Sequence, residues 1–321
     1  MQLIKGKEIA DNILNDIKSK IKDLETKPTL AVILIGEDEA SKIYVGLKER
    51  AAREIGFNFL LYKYEADVKE EIILNKIEEI NNDDNIHGLI VQLPLPENLD
   101  KYKVINAISP AKDVDGFCEC NQDVFLSDKD CHWPVFPKAI VKMVEGVFLL
   151  SCHSRPLRQS FNEASENGNL VCEQGDPRIR EDDNFDRMEL FGGKKAVIIC
   201  KSDDFGVVMQ RAFERIGMGA KYVFCNDLNS SLDEIKNADI VVSACGQLNL
   251  LDSEMVKNDA IIIDGGIIKK DGKVFGDVKL SGFEKTDCFI SPVPGGVGPV
   301  TVACLLENTY LAYLENRNIG I

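Results

Sequence analysis

Apolar residues along this chain follow two rhythms. Near the N-terminus Ile9, Ile13, Ile17 and Ile21 recur every fourth position. That spacing lines one face of a helix, predicted over about 6–24. The next run, Thr29-Leu-Ala-Val-Ile-Leu-Ile-Gly36, is continuous instead of periodic. It is too short and too β-branched for a helix, and predicts a strand buried on both faces. The two patterns then alternate, with helices at about 41–55 and 69–82 and strands at 57–64 and 88–95. The alternation resumes with strands at 194–200, 221–225, 239–244 and 260–264 and helices at 205–216 and 232–238. A last helix is predicted at about 299–315, with Pro299 in its first turn, where proline is favoured. Strands alternating with helices imply parallel βαβ units and an α/β fold.

Residues 151–186 break the pattern. They are polar, rich in Asn, Glu, Arg and Ser, and without a period, as expected of a long surface insertion or a partly disordered linker. The chain therefore divides into a discontinuous parallel-sheet domain (1–147 with 290–321), a polar insertion or linker (148–192), and a Rossmann-like domain (193–289). The length of 321 residues suits two domains of roughly 150 residues.

Charge narrows the partners. With 38 basic and 53 acidic residues the net charge is −15, a field that repels phosphate backbones and anionic membranes. Neither a nucleic-acid nor a membrane partner is expected. No apolar run approaches the roughly 18 residues of a span, and residues 1–20 lack an apolar signal core, so a cytoplasmic protein is expected. The ten cysteines are scattered, in keeping with reduced thiols. The densest group, Cys118, Cys120, Cys131 and His132, lacks a C-x-x-C knuckle, and no metal site is expected.

Candidate chemistry gathers at a few positions. Tyr44 and Lys48 are four apart on a predicted helix and share a face. Gln92 directly follows the apolar run Gly88-Leu-Ile-Val91, which places a polar side chain at a strand's carboxyl end, where ligands bind in parallel sheets. Asp115 lies in the loop Lys112-Asp-Val-Asp-Gly116. Taken singly, each has an ordinary explanation: an amphipathic helix, a strand end, a turn.

Together they carry a resemblance. The patterns S-x-x-Y-x-x-x-K from Ser41, V-Q-L-P-L-P from Val91, K-D-V-D-G from Lys112 and P-V-P-G-G-V-G-P-x-T from Pro292 occur in one order. They resemble the bifunctional methylenetetrahydrofolate dehydrogenase/cyclohydrolase family over nearly the whole chain outside the insertion. The resemblance implies a folate cleft between two α/β domains, NAD or NADP as cofactor, a tetrahydrofolate derivative as substrate, and a homodimer. Lys48 would be the central catalytic residue, Gln92 would set its position and protonation, Tyr44 would stack on the folate ring, and Asp115 would accept hydrogen bonds from the pterin. Ser41, Leu93, Pro94, Pro292, Gly295 and Gly296 would complete the folate site. Lys201, Ser202, Gly206, Asp227, Ala244, Cys245, Gly246, Ile267, Gly298 and Thr301 would face the dinucleotide.

The nucleotide side departs from the family pattern. G-R-S-x-x-V-G-x-P becomes Cys200-Lys-Ser-Asp-Asp-Phe-Gly-Val-Val208. Lysine keeps a charge for phosphate but loses arginine's fork, and Asp203 and Asp204 would oppose a pyrophosphate if they faced it. C-H-S becomes Cys225-Asn-Asp227, with Asp227 21 residues after Gly206. An acidic residue there suits the ribose 2′-hydroxyl of NAD and disfavours a 2′-phosphate, so NAD is slightly favoured over NADP. P-C-T-P becomes Pro134-Val-Phe-Pro137, and I-D-V-G-I-N becomes Ile263-Asp-Gly-Gly-Ile-Ile268. These changes leave two alternatives open: a cyclohydrolase that has lost hydride transfer, and a catalytically silent folate- or nucleotide-sensing module.

Overall fold

The computed structural model describes residues 1–129, 131–153 and 190–317. The first sheet is built from β2 (Thr29–Ile35), β3 (Asn58–Tyr64) and β4 (Gly88–Val91), in the order β3-β2-β4 and parallel throughout. Its central strand is enclosed on both faces, and Leu30, Ala31, Val32 and Ile33 have no exposed surface. That is why its sequence is continuous in apolar character. Helices α1 (Gly6–Ile21), α2 (Glu39–Ile55), α3 (Glu70–Asn81), α4 (Lys101–Asn106), α5 (Glu119–Leu126) and α6 (Val135–His153) belong to this part of the chain.

The second sheet is parallel and six-stranded, with β5 (Lys195–Cys200), β6 (Gly219–Phe224), β7 (Ile240–Ser243), β8 (Ile261–Asp264) and β11 (Phe289–Ile290). Its sixth member is β1 (Gln2–Leu3), in the order β1-β11-β8-β7-β5-β6, so the chain's first strand joins the sheet built by its second half. Helices α7 (Asp203–Glu214) and α8 (Leu232–Lys236) connect strands, and β9 (Ile268–Lys270) and β10 (Lys273–Phe275) form a separate hairpin.

The last helix, α9 (Val297–Asn316), returns to the first sheet and packs on α1, α6, α2, β2 and β4. It is buried on almost every side from Val300 to Leu314, as expected of a helix apolar all round. Its polar residues are paired. Glu307 lies 2.7 Å from Lys138 and 3.3 Å from Lys142, both on α6. Burial alone would raise the Glu307 carboxyl, but the two ammonium groups pull it down to about 2.

The predicted elements are found within a few residues, while the short elements α4, α5, β1, β9, β10 and β11 were not foreseen; two further differences are instructive. Strand β4 ends at Val91, not at 95, because Pro94 and Pro96 cannot donate to a ladder. Helix α6 was not foreseen, although Lys138, Lys142 and Glu145 recur at helical spacing along it; they form a narrow stripe on a helix otherwise buried on several sides. The expected polar insertion lies outside the described residues from 154 onward.

Glu307→Gln should remove about 1–3 kcal/mol of stability in urea unfolding at pH 7, because it takes the carboxylate partner from two partly buried ammonium groups, of which Lys138 keeps Asn308 as an acceptor. A depressed carboxyl stabilises the fold above its unfolded-state pKa, and this contribution is lost as pH falls toward about 2. The deficit of the variant should therefore shrink on acidification.

Candidate active site

Helix α2 is set in place at its first turn. Asp38 caps it, accepting a hydrogen bond from the Ser41 backbone N–H at 2.7 Å. The buried Ser41 hydroxyl donates to the Leu93 carbonyl at 3.4 Å, tying the helix to the segment after β4. One turn apart, Tyr44 and Lys48 then face a cavity of about 250 Å³. Gln92, the first residue past β4, meets them there. Its Nε2 donates to the Leu93 carbonyl at 2.8 Å, and its Oε1 accepts from Lys48 Nζ at 2.9 Å. The amide is thus anchored at one end and presents an acceptor to the ammonium at the other.

Asp115 lines the same cavity. Its loop divides by role. Lys112 is buried and donates to the carbonyls of Ile80 and Asp83, both at 2.7 Å. Asp113 accepts from the N–H groups of Gly116, Phe117 and Cys118, closing the turn. Asn308 of α9 donates to the carbonyls of Val114 and Trp133, each at 2.9 Å. With its neighbours so fixed, Asp115 is free of structural duty and turns to the cavity. It is partly buried on the cavity wall. Burial pushes its carboxyl up to about 6, against the pull of Lys48. Burial likewise pushes Lys48 below the ordinary lysine range, and the Asp115 charge offsets part of this. Both shifts bring proton exchange nearer to neutral pH.

The remaining walls are Val91, Phe117, Val135, Phe136, Val302 and Leu305, with Leu93 and Thr301. Thr301, placed by the motif reading with the dinucleotide, therefore lines the cavity that holds Lys48. Phe117, Val135, Val302 and Leu305 were missed; only their nearness to Asp115, Pro134 and Thr301 in sequence pointed to them. Ser41 acts behind Leu93, and Pro94, Pro292, Gly295 and Gly296 are not among the cavity's lining residues.

The candidate dinucleotide residues gather at the carboxyl edge of the second sheet. Lys201, Ser202 and Asp204 are exposed at the start of α7 after β5. The Ser202 hydroxyl makes no capping bond, which leaves the helix N-terminus open. Asp203 is engaged by the Tyr222 hydroxyl at 2.7 Å. Gly206 is packed so closely that a Cβ would lie 2.5 Å from the Tyr222 ring. Asp227 is exposed just past β6, and Ala244, Cys245 and Gly246 follow β7. Ile267 is half exposed beyond β8, and Gly298 lies in the first turn of α9. Three departures from the family pattern meet around Phe136, which alone of them lines the cavity: the rings of Phe136 and Phe205 stand edge to face at 5.5 Å, and a Cβ on Gly265 would come within 2.8 Å of Phe136. The small residue accommodates the large one.

A family model for the tetrahydrofolate dehydrogenase/cyclohydrolase catalytic domain matches residues 4–115, and one for the NAD(P)-binding domain of the same proteins matches 186–317. The chain belongs to the tetrahydrofolate dehydrogenase/cyclohydrolase family. The bifunctional protein FolD of Vesicomyosocius okutanii is 37% identical over 98% of this chain and 99% of its own, and that of Cupriavidus necator is 36% identical over 96% of each. Among solved structures, the FolD dehydrogenase/cyclohydrolase of Campylobacter jejuni superposes with a TM-score of 0.80 at 30% identity, covering 99% of both chains. The Trypanosoma brucei enzyme, solved with NADP and an inhibitor, gives 0.79 at 27% identity, covering 99% of this chain and 98% of its own.

Carbon-13 NMR of the Asp115 carboxyl should show a midpoint near 6. In Lys48→Met the midpoint should rise further, because the cation favouring the carboxylate is gone. A midpoint that stays put would mean the two groups do not interact.

Proposed function

We propose that this chain oxidises 5,10-methylenetetrahydrofolate to the 5,10-methenyl form with NAD(P)⁺ and hydrolyses that product to 10-formyltetrahydrofolate. The observation that carries this reading is the cavity in which Lys48, Gln92, Asp115 and Tyr44 converge, in a chain of this family. Tyr44 offers a ring face for the folate. Asp115 offers two acceptor oxygens on the cavity wall, suited to the paired N–H donors of a pterin. Lys48, lowered by burial and held by Gln92, can pass a proton when water adds to the methenyl carbon and the ring opens.

The dinucleotide, when bound, supplies the hydride acceptor; the protein supplies alignment. The residues at the second sheet's edge fit such a group. An open helix N-terminus follows β5, Lys201 is exposed beside it, and Asp203 is already engaged by Tyr222. Asp227, exposed after β6, is our reason to favour NAD over NADP. In this reading 1–147 with 290–321 carry the folate chemistry, 193–289 carry the dinucleotide, 148–192 are an insertion or linker, and two copies form a homodimer, which light scattering would test.

Lys48→Met should lower hydrolysis of methenyltetrahydrofolate by about 10²-fold or more, followed by loss of its absorbance. Full activity in that variant would refute the role of Lys48. Hydride transfer measured in parallel should be faster with NAD than with NADP, and Asp227→Ser should narrow the difference. Turnover with NADP alone would remove Asp227 as a selector.

A further inference from the structure

Two buried carboxylates at the edge of the second sheet lie apart from the cavity and have no part in the chemistry above. Asp277, fully buried, accepts three hydrogen bonds at 2.7 Å. The Ser243 hydroxyl and the Cys245 N–H reach its Oδ2, and the Gln247 N–H reaches its Oδ1. Asp264, at the end of β8, holds Asp277 in turn. Its Oδ1 accepts from the N–H groups of Gly266 and Asp277, and its Oδ2 from that of Val278. The Asp264 N–H itself donates to Ser291 Oγ at 2.7 Å, directly before the Pro292 loop. The two carboxylates thus fasten the segments after β7, β8 and β10 to one another, and the Ser291 hydroxyl ties on the segment after β11.

The glycines beside them have a steric reason. A Cβ on Gly266 would fall 2.1 Å from Asp277 Oδ1, and one on Gly276 would fall 2.0 Å from Asp264 Oδ2. Each carboxylate nests against backbone that can only be glycine. The outcome is set at 244–247. The N–H groups of Cys245 and Gln247 both turn inward to Asp277, and Gly246 between them takes a φ of +59° and is exposed at the tip. A bare glycine tip at this edge lets a planar ring or ribose approach the backbone closely.

We propose that Asp277, held by Asp264, is a positioning residue for the dinucleotide: it shapes the 244–247 loop against which the cofactor lies. The proposal rests on the dinucleotide reading above. Because hydrolysis needs no hydride acceptor, the two activities separate a positioning role from a merely structural one. Asp277→Asn keeps the shape but sets an amide N–H₂ against inward N–H groups. In the full-length enzyme it should raise the KM for NAD(P) by about tenfold or more, as small displacements of a bound reactant do. Hydrolysis of methenyltetrahydrofolate should stay within about twofold of the parent under the same reasoning. Equal loss of both activities, or an unchanged KM, would overturn the proposal. Should Asp277→Asn fail to fold, Ser243→Ala, which removes one of the three bonds, decides: a raised KM for the dinucleotide with hydrolysis intact supports it, and an unchanged KM overturns it. A parent enzyme that hydrolyses but transfers no hydride to either dinucleotide would instead sink the reading on which the proposal stands.

Discussion

Enclosing an ammonium and a carboxyl in one cavity is the constraint around which the first half of this protein is arranged. Each charge alone would be costly away from water, and each lowers the cost of the other. The balance leaves Lys48 easier to deprotonate and Asp115 harder to ionise than in water. Such a pair works only if its members cannot drift together into a tight ion pair. Local structure prevents this. The capped first turn of α2 fixes the lysine, the anchored Gln92 amide takes one of its hydrogens, and Asp113 with Asn308 fixes the loop that carries the carboxyl.

The second sheet solves a different problem, that of presenting backbone. Phe136 of α6 and Phe205 and Gly265 of the second half come from three separate stretches of sequence, yet they touch: the two rings stand edge to face, and the missing side chain of Gly265 leaves room for the Phe136 ring.

Much of this was legible in the amino-acid order. Continuous apolar runs gave the buried strands, and four-residue spacing gave α1 and the shared face of Tyr44 and Lys48. Gln92 could be placed because a polar residue follows an apolar run at once. What escaped were features with little local signature. Helix α6 shows only a narrow polar stripe, Lys138, Lys142 and Glu145, among apolar residues, and the walls Phe117, Val135 and Leu305 are apolar residues distinguishable from core only by position. The two meanings of aspartate were also hidden: Asp113 and Asp115 stand two apart in one motif, and only the three-dimensional turn shows that the first binds backbone and the second faces a cavity.

The place of α9 has a consequence for how the chain is made. Residues 297–316 sit at the centre of the first sheet's helical layer, packed against α1, which begins at Gly6. During synthesis the segments bearing Tyr44, Lys48, Gln92 and Asp115 emerge early, but the helix that supplies Thr301 and Leu305 to the cavity, and Asn308 to the Asp115 loop, emerges last. The strands of the second sheet from β5 to β8 lie contiguously in sequence and can pair as they leave the ribosome. The folate-side half must wait for α9, so its apolar surfaces are the ones left uncovered, and in need of protection, until that helix has been made.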